Sequence, residues 1–194
     1  MQPPILIDMP EELTSERTLV RPYRAGDGAA MFEAVDESRD HILPWMPWGP
    51  GHQSADDSEK LVRTFRARWV LREDLGVGIF ERASGRFLGG SGLHRIDWEL
   101  RSFEIGYWIR KSAAGRGHVT ETVRLLSKLA FETLAANRVV IRCAAANEKS
   151  SAVAQRAGFF YEGRLRNGIK DARGVLHDTL MFSLIPDDWE KARR

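Results

Sequence analysis

A chain of 194 residues with a formal net charge of +2 is long enough for one well-packed domain and too weakly basic to point to a nucleic-acid partner. Hydrophobic residues make up 43% and charged residues 29%, and no apolar run approaches the roughly 18 residues needed to span a bilayer, so a membrane protein is not expected. One cysteine, Cys143, excludes an internal disulfide framework and a thiolate metal cluster; with no basic, apolar leader at the start, the expected compartment is the cytoplasm.

Residues 18–24 alternate as a strand does, with Pro22 marking an edge or an end. Asp27 is placed to cap a helix running towards Glu37, with Met31, Phe32 and Val35 on one face. Residues 43–50 hold three prolines and two tryptophans and cannot be regular helix. A second helix starts near Ser54 or Asp56, with Leu61, Phe65 and Trp69 at helical spacing. From Leu75 the period falls to two, and 75–82, 87–98 and 102–110 read as three strands joined by turns. A helix over 116–134 carries Val119, Val123, Leu126, Ala130 and Leu134 along one stripe. Residues 138–145 form a β-branched strand, and 149–157 a short helix stopped by Gly158. A strand pair, 159–167 and 175–184, closes the chain. This mixed order is α+β and not a doubly wound nucleotide fold.

The stretch 105–121, IGYWIRKSAAGRGHVTE, carries the most chemistry. A strand-like run ends at Ile109, and a loop with Gly115, Arg116 and Gly117 leads into the long helix. Such a loop turns backbone N–H groups towards one point at a helix N-terminus, where they and the helix dipole bind phosphate. A P-loop NTPase is excluded, because no Gly-x-x-x-x-Gly-Lys-Ser/Thr motif is present.

The order of elements resembles that of the GNAT superfamily of acetyl-CoA-dependent N-acetyltransferases. The motifs are similar to those of its Rim-type members, which acetylate ribosomal-protein N-termini. They are TLVRPY at 18–23, HILPWMPW at 41–48, LGGSGL at 88–93, FEIGYWI at 103–109 and GRGHVTE at 115–121. NEKS at 147–150, RAGF at 156–159 and EGRLR at 162–166 complete the set. The resemblance covers nearly the whole chain and implies one N-acetyltransferase domain over 1–194, with a core at about 15–186. The implied fold is a central twisted, mostly antiparallel sheet with a splayed strand pair, flanked by helices. Two departures stand out. Ser112 occupies the loop's first position, where the superfamily has Gln or Arg. The position of the tyrosine that many members use as general acid falls on Ala154.

By the same resemblance, Trp108, Ile109 and Arg110 would end a strand whose free backbone groups pair with the pantetheine arm. Gly115, Arg116, Gly117, His118, Val119 and Thr120 would hold the pyrophosphate, and Asn147 and Ser150 would also contact the cofactor. A backbone N–H near residues 107–109 would polarise the thioester carbonyl. Direct attack needs no nucleophilic side chain, only a base for the amine and a proton for the leaving thiolate. Glu104 is the first choice of base, Glu162 the competitor, and a water chain the third reading. The structural alternative for Glu104 is a pairing with an arginine across the sheet and nothing more. Ser150 is the candidate proton donor, and Asn147 is also placed as a helix N-cap. Trp45, Trp48 and His41 border the expected acceptor pocket, although tryptophans there also suit a hydrophobic plug. The side chain of His118 is expected to be incidental, Cys143 to be a small core residue, and no metal to be bound, since the histidines lack ligand spacing. The leading acceptor is a protein N-terminal α-amine. A polyamine, an aminoglycoside or an amino-acid derivative stays open, as does a CoA-binding module without turnover. A homodimer is possible for such proteins.

Overall fold

In the computed structural model, which describes residues 2–192, a short helical turn over Pro4–Leu6 precedes β1 (Leu13–Thr14) and β2 (Thr18–Pro22). Met1, Arg193 and Arg194, the outermost residues of the domain expected over 1–194, lie outside the described residues. Helices α1 (Gly28–Glu37), α2 (Arg39–Ile42) and α3 (Ala55–Leu71) follow. Then come β3 (Leu75–Glu81), β4 (Phe87–Asp97), β5 (Ser102–Ile109), α4 (His118–Lys128) and β6 (Arg138–Ala144). The chain ends with α5 (Glu148–Arg156), β7 (Phe160–Lys170), β8 (Leu176–Leu184) and α6 (Pro186–Ala192).

The strands form one eight-stranded sheet in the order β1-β2-β3-β4-β5-β6-β8-β7. Every neighbouring pair is antiparallel except β5 and β6. Because side chains alternate along a strand, each face of the sheet builds its own core. One face gathers Leu75, Val77, Leu93, Phe103, Ile105, Ile141 and Cys143 against Val123 and Leu126 of α4, Ala130 of the turn after it, and Val153 and Ala154 of α5. The other carries Phe80 and Phe87 against Tyr23, Met31, Val35 and Val62, from α1, α3 and the chain after β2.

Glycines set the approach of α3 to that second face. Gly76 lies under the Phe65 ring, and a Cβ on Gly90 would stand 2.5 Å from the Tyr23 hydroxyl and 2.6 Å from Trp108 Nε1. Any side chain there would push α3 or Trp108 off the sheet.

Capping follows sequence at α3 and departs from it at α1. Ser54 accepts the Asp57 N–H at 3.1 Å, as an N-cap should. Asp27 does not cap α1, because its carboxylate is occupied by the Arg21 guanidinium at 2.7 and 2.8 Å and by the Arg24 N–H. Glu59 of α3 serves instead, accepting from the N–H groups of Gly26 and Gly28 at 3.0 Å. The helix expected over 116–134 starts two residues later, and its end widens into a turn over Leu129–Thr133.

The strongest link between the helical layer and the end of β5 is ionic. The Arg110 side chain is 3% exposed and pairs with Glu37 and, at 2.7 Å, with Glu33, both on α1. Its Nη1 donates to the Phe87 carbonyl at 3.2 Å. Arg110 holds the Glu37 carboxyl at about 2, against an ordinary 4.5. A folded-state pKa depressed in this way adds stability that is fully present above pH 4.5 and is lost as pH falls towards 2. Replacing Glu37 with Gln strands a buried guanidinium with only the exposed Glu33. Unfolding in urea should show a loss of about 2–3 kcal/mol at neutral pH, below the range for a fully enclosed pair. The acid loss between pH 4.5 and 2 should be shallower in the variant, and an unchanged midpoint and acid limb would show the pair to be inert.

Candidate active site

Strands β5 and β6 pair over three rungs only, Ser102 with Arg138, Phe103 with Val139 and Glu104 with Val140. Beyond Glu104 the two strands part. The rest of β5 stays on β4, with Gly106 opposite Gly92 and Trp108 opposite Gly90, while the rest of β6 stays on β8. The side of β5 that faces the gap therefore has no strand to take its backbone groups, and a half-buried strand edge of this kind needs a partner. The expected splay is present.

A cleft of about 920 Å³ opens at the gap. Tyr107, Trp108 and Ile109 of β5 form its floor, with Gly115, Gly117, His118, Val119 and Thr120 at one end. Asn147, Ser150 and Arg156 line its α5 side, and His41, Ile42, Trp45 and Met46 the wall built from α2 and the turns after it. Its size is that of a pocket for a sizeable ligand.

At the loop, Gly115 and Gly117 have φ of 77° and 87°, a conformation open to glycine and costly for other residues. The first intrahelical bond of α4 runs from the Glu121 N–H to the Gly117 carbonyl at 3.1 Å. The N–H groups of His118, Val119 and Thr120 thus precede any helical acceptor and sit at the positive end of the helix dipole. The loop's start is anchored from α1. Glu37 accepts the Ser112 N–H at 2.8 Å, and Ser38 Oγ accepts the Lys111 N–H at 2.9 Å. The Ser112 departure therefore sits in a segment fixed through its backbone.

His118 has a clear structural occupation. Its ring is buried, with Nδ1 3.0 Å from Thr18 Oγ1, and burial lowers its pKa against the pull of Glu121. Glu121 in turn accepts from Ser15, Thr18 and Arg17, tying the start of α4 to the β1–β2 turn.

Five residues expected at the site, Glu104, Glu162, Arg110, Arg116 and Trp48, do not line the cleft. The Arg110 guanidinium is turned to α1, and its N–H donates to the Leu88 carbonyl at 2.7 Å, so neither is left for a ligand. Arg116 lines a separate small pocket with Arg17 and Arg82. Trp48 is part of the core plug, its ring 5.5 Å from Trp108 and 5.1 Å from His52, because the turns after α2 fold it inwards. Trp45 keeps its place on the cleft wall, with its ring 6.4 Å from His177 of β8.

The two carboxylates share one face of the sheet, each held by an arginine of β6. Arg138 and Arg142 are four residues apart and so project the same way. Arg138 grips Glu162 with both terminal nitrogens, and Ser183 Oγ donates to it at 2.8 Å. Those donors bring the Glu162 carboxyl to about 2. Glu104 lies 2.7 Å from Arg142 Nε, yet that N–H finds no aligned acceptor, and the Nη2 bond is long at 3.3 Å. Burial moves Glu104 the opposite way, above the ordinary carboxylate value, against Arg95 and His94.

Ser150 is fixed at the first turn of α5. Its N–H donates to the Asn147 side chain at 3.1 Å, which makes Asn147 the N-cap. Tyr107, which sequence reasoning used only for its backbone, places its hydroxyl 2.9 Å from Ser150 Oγ and 3.0 Å from the Ser150 carbonyl. Period-two alternation puts Tyr107 on the α5 side of β5, and that was the available signal. Ala154 is fully buried in the core, and Cys143 is a buried core residue. Among the described residues no group of histidine, cysteine and carboxylate side chains could hold a metal, and no helix is long and apolar enough to cross a membrane.

The comparisons agree with this geometry. The model of the acetyltransferase (GNAT) domain matches residues 17–160. YdaF of Bacillus subtilis (strain 168), provisionally named a ribosomal N-acetyltransferase, is 33% identical over 177 residues, which are 91% of this chain and 95% of that protein. The structure of RimL, a ribosomal L7/L12 α-N-protein acetyltransferase in complex with coenzyme A, shares the fold at a TM-score of 0.84 and 23% identity, covering 92% of this chain and 99% of that one. That of the microcin C7 self-immunity acetyltransferase MccE, in complex with acetyl-CoA and AMP, gives 0.82 at 22% identity, over 88% and 93% of the two chains. With its sheet parting at Glu104, its glycine loop opening α4 and a family match over most of its length, the chain belongs to the GNAT acetyltransferase family.

Proposed function

We infer that this acetyltransferase transfers acetyl from acetyl-CoA to the N-terminal α-amine of a protein, with ribosomal proteins as the first candidates. The observation that carries the reading is the continuous cleft from the Gly115–Gly117 loop, along the unpaired edge of β5, to the Trp45 wall. The likeness to YdaF, over nearly the full length of both chains, supports the choice of acceptor. Such a substrate puts the enzyme's work in the cytoplasm.

The residues divide the work as follows. The N–H groups of His118, Val119 and Thr120 receive the pyrophosphate, and the open edge of β5 receives the pantetheine amides. A β5 backbone N–H near Tyr107 and Trp108 stabilises the oxyanion as the amine attacks. An α-amine ionises near pH 8, so a modest base suffices, and Glu104 takes that role. Glu104 stands on the same strand four residues before Trp108, about 13 Å along it, so the proton passes through water. Glu162 is the poorer base, because Arg138 and Ser183 saturate its charged form. Ser150 delivers the proton that the departing sulfur needs.

Measuring CoA release from acetyl-CoA with N-terminal Ser, Ala and Met peptides, spermidine, an aminoglycoside and free amino acids tests the acceptor. A peptide preference is expected, and turnover on a small amine alone would overturn it. Glu104→Gln should lower kcat by roughly two to four orders of magnitude, whereas Glu162→Gln should change it only a few-fold. Since Glu104 is shifted upwards, the acid limb of kcat should lie above the ordinary carboxylate range, with activity lost as pH falls through it. Near-normal turnover by the Glu104 variant would move the role elsewhere. In the loop, Gly117→Ala forces a left-handed alanine, with its Cβ 2.8 Å from Arg17 Nη2. Calorimetry should show acetyl-CoA binding weakened by about ten-fold, the cost of that conformation.

A further inference from the structure

The hydroxyl of Ser150 has a neighbour that neither the family match nor the motifs assign. Tyr107 stands on the cleft floor with its Oη at hydrogen-bond distance from two atoms of one residue, Ser150 Oγ at 2.9 Å and the Ser150 carbonyl oxygen at 3.0 Å. The serine N–H is already committed to Asn147. We propose that Tyr107 is a positioning residue for acetyl transfer, orienting the Ser150 hydroxyl so that its proton points at the sulfur of the departing CoA. The proposal rests on the acetyl-CoA reading above.

Counting hydrogens gives the device its logic. The phenol has one proton and two acceptors within reach, and the carbonyl can only accept. When the phenol donates to the carbonyl, the serine proton is free to fall back on the phenol oxygen, and the cleft sees no donor. When the phenol donates to Ser150 Oγ, the serine proton is displaced from that direction and is open to the cleft, with the Cys143 thiol as its other neighbour. The two states differ by rotation of both O–H groups, the phenol's and the serine's. Negative charge growing on the sulfur favours the second, and the pair then acts as a chain of two donors, each polarising the next.

Atoms balance without a charge left on the tyrosine. The amine nitrogen forms its bond to the acetyl carbon, the carbon–sulfur bond breaks, and its electron pair leaves on sulfur. Ser150 passes its proton to sulfur and regains one from cleft water, while the proton lost by the amine leaves through Glu104 to solvent. Tyr107 keeps its proton throughout. Burial raises its pKa well above the usual tyrosine value, so the donor is present across the working pH range.

The test reads the thiol directly. Product CoA is bound to wild type, Tyr107→Phe, Ser150→Ala and the double variant, and its thiolate absorbance is followed against pH. Tyr107→Phe should raise the pKa of the bound CoA thiol by about one unit, the worth of a lost hydrogen bond to a charge. Ser150→Ala should do the same, and the double variant should resemble Ser150→Ala alone, because Tyr107 acts through the serine. CoA affinity should stay within about two-fold of wild type by calorimetry, and kcat with the preferred amine should fall about ten-fold in each variant. A thiol pKa unmoved by Tyr107→Phe, or shifts that add in the double variant, would overturn the proposal while leaving acetyl-CoA use intact. Failure of wild type to bind CoA would remove both.

Discussion

The pairing of Arg110 with Glu37 is the constraint from which the site's geometry follows. Arg110 is the first residue beyond β5, and its buried charge has to be met where the strand ends. Glu37, the last residue of α1, meets it and also receives the Ser112 N–H. One carboxylate thus fixes the end of the floor strand, the start of the phosphate loop and the helix above them. The resemblance assigned the Arg110 backbone to the cofactor arm, but its N–H donates to the Leu88 carbonyl at 2.7 Å, and its guanidinium is kept on α1 by the cost of leaving it unpaired. A charge enclosed by protein needs its partner permanently, whereas a ligand comes and goes.

A second constraint is the change of direction in the sheet. Parallel pairing of β5 and β6 requires a crossover, which α4 supplies, and the glycine loop is its first turn. The strands then separate after three rungs because β5 is held by β4 and β6 by β8. The crossover that makes the pair parallel also brings the N-terminus of α4 to the mouth of the gap. Phosphate binding and the open edge are therefore two consequences of one topology, which is why the loop and the strand before it adjoin in sequence.

Period and turn chemistry made the core elements legible: β2 to β6, α1 and α3 to α5 all stand where the pattern put them. What escaped were β1, α2 and α6, which have two, four and seven residues and are too short for periodicity to register. The cap of α1 was misread for a different reason. Asp27 has the right residue type at the right place, but Arg21 competes for it, and Glu59, which replaces it, is 31 residues from Gly28. Trp45 and Trp48 belong to one motif and part company because the turns between them reverse direction, sending one ring to the cleft and the other onto Trp108. Tyr107 was within reach, since alternation from Phe103 and Ile105 sets its face, but its partner lies 43 residues on.

The two carboxylates show why residue type alone could not name the base. Glu104 and Glu162 share a face and each has an arginine from β6, so a list of neighbours would rank them equal. The difference is alignment. Arg138 presents both terminal nitrogens to Glu162 and Ser183 adds a third donor, which stabilises the charged form and leaves it little affinity for a proton. Arg142 approaches Glu104 closely but off axis, so burial prevails and the carboxylate holds a proton more readily. A base must take up a proton during the reaction and release it afterwards, and of the two only Glu104 is left with that latitude. The same rule governs Ser150 on the cleft wall, whose N–H is committed to Asn147 and whose hydroxyl is met by Tyr107 at 2.9 Å.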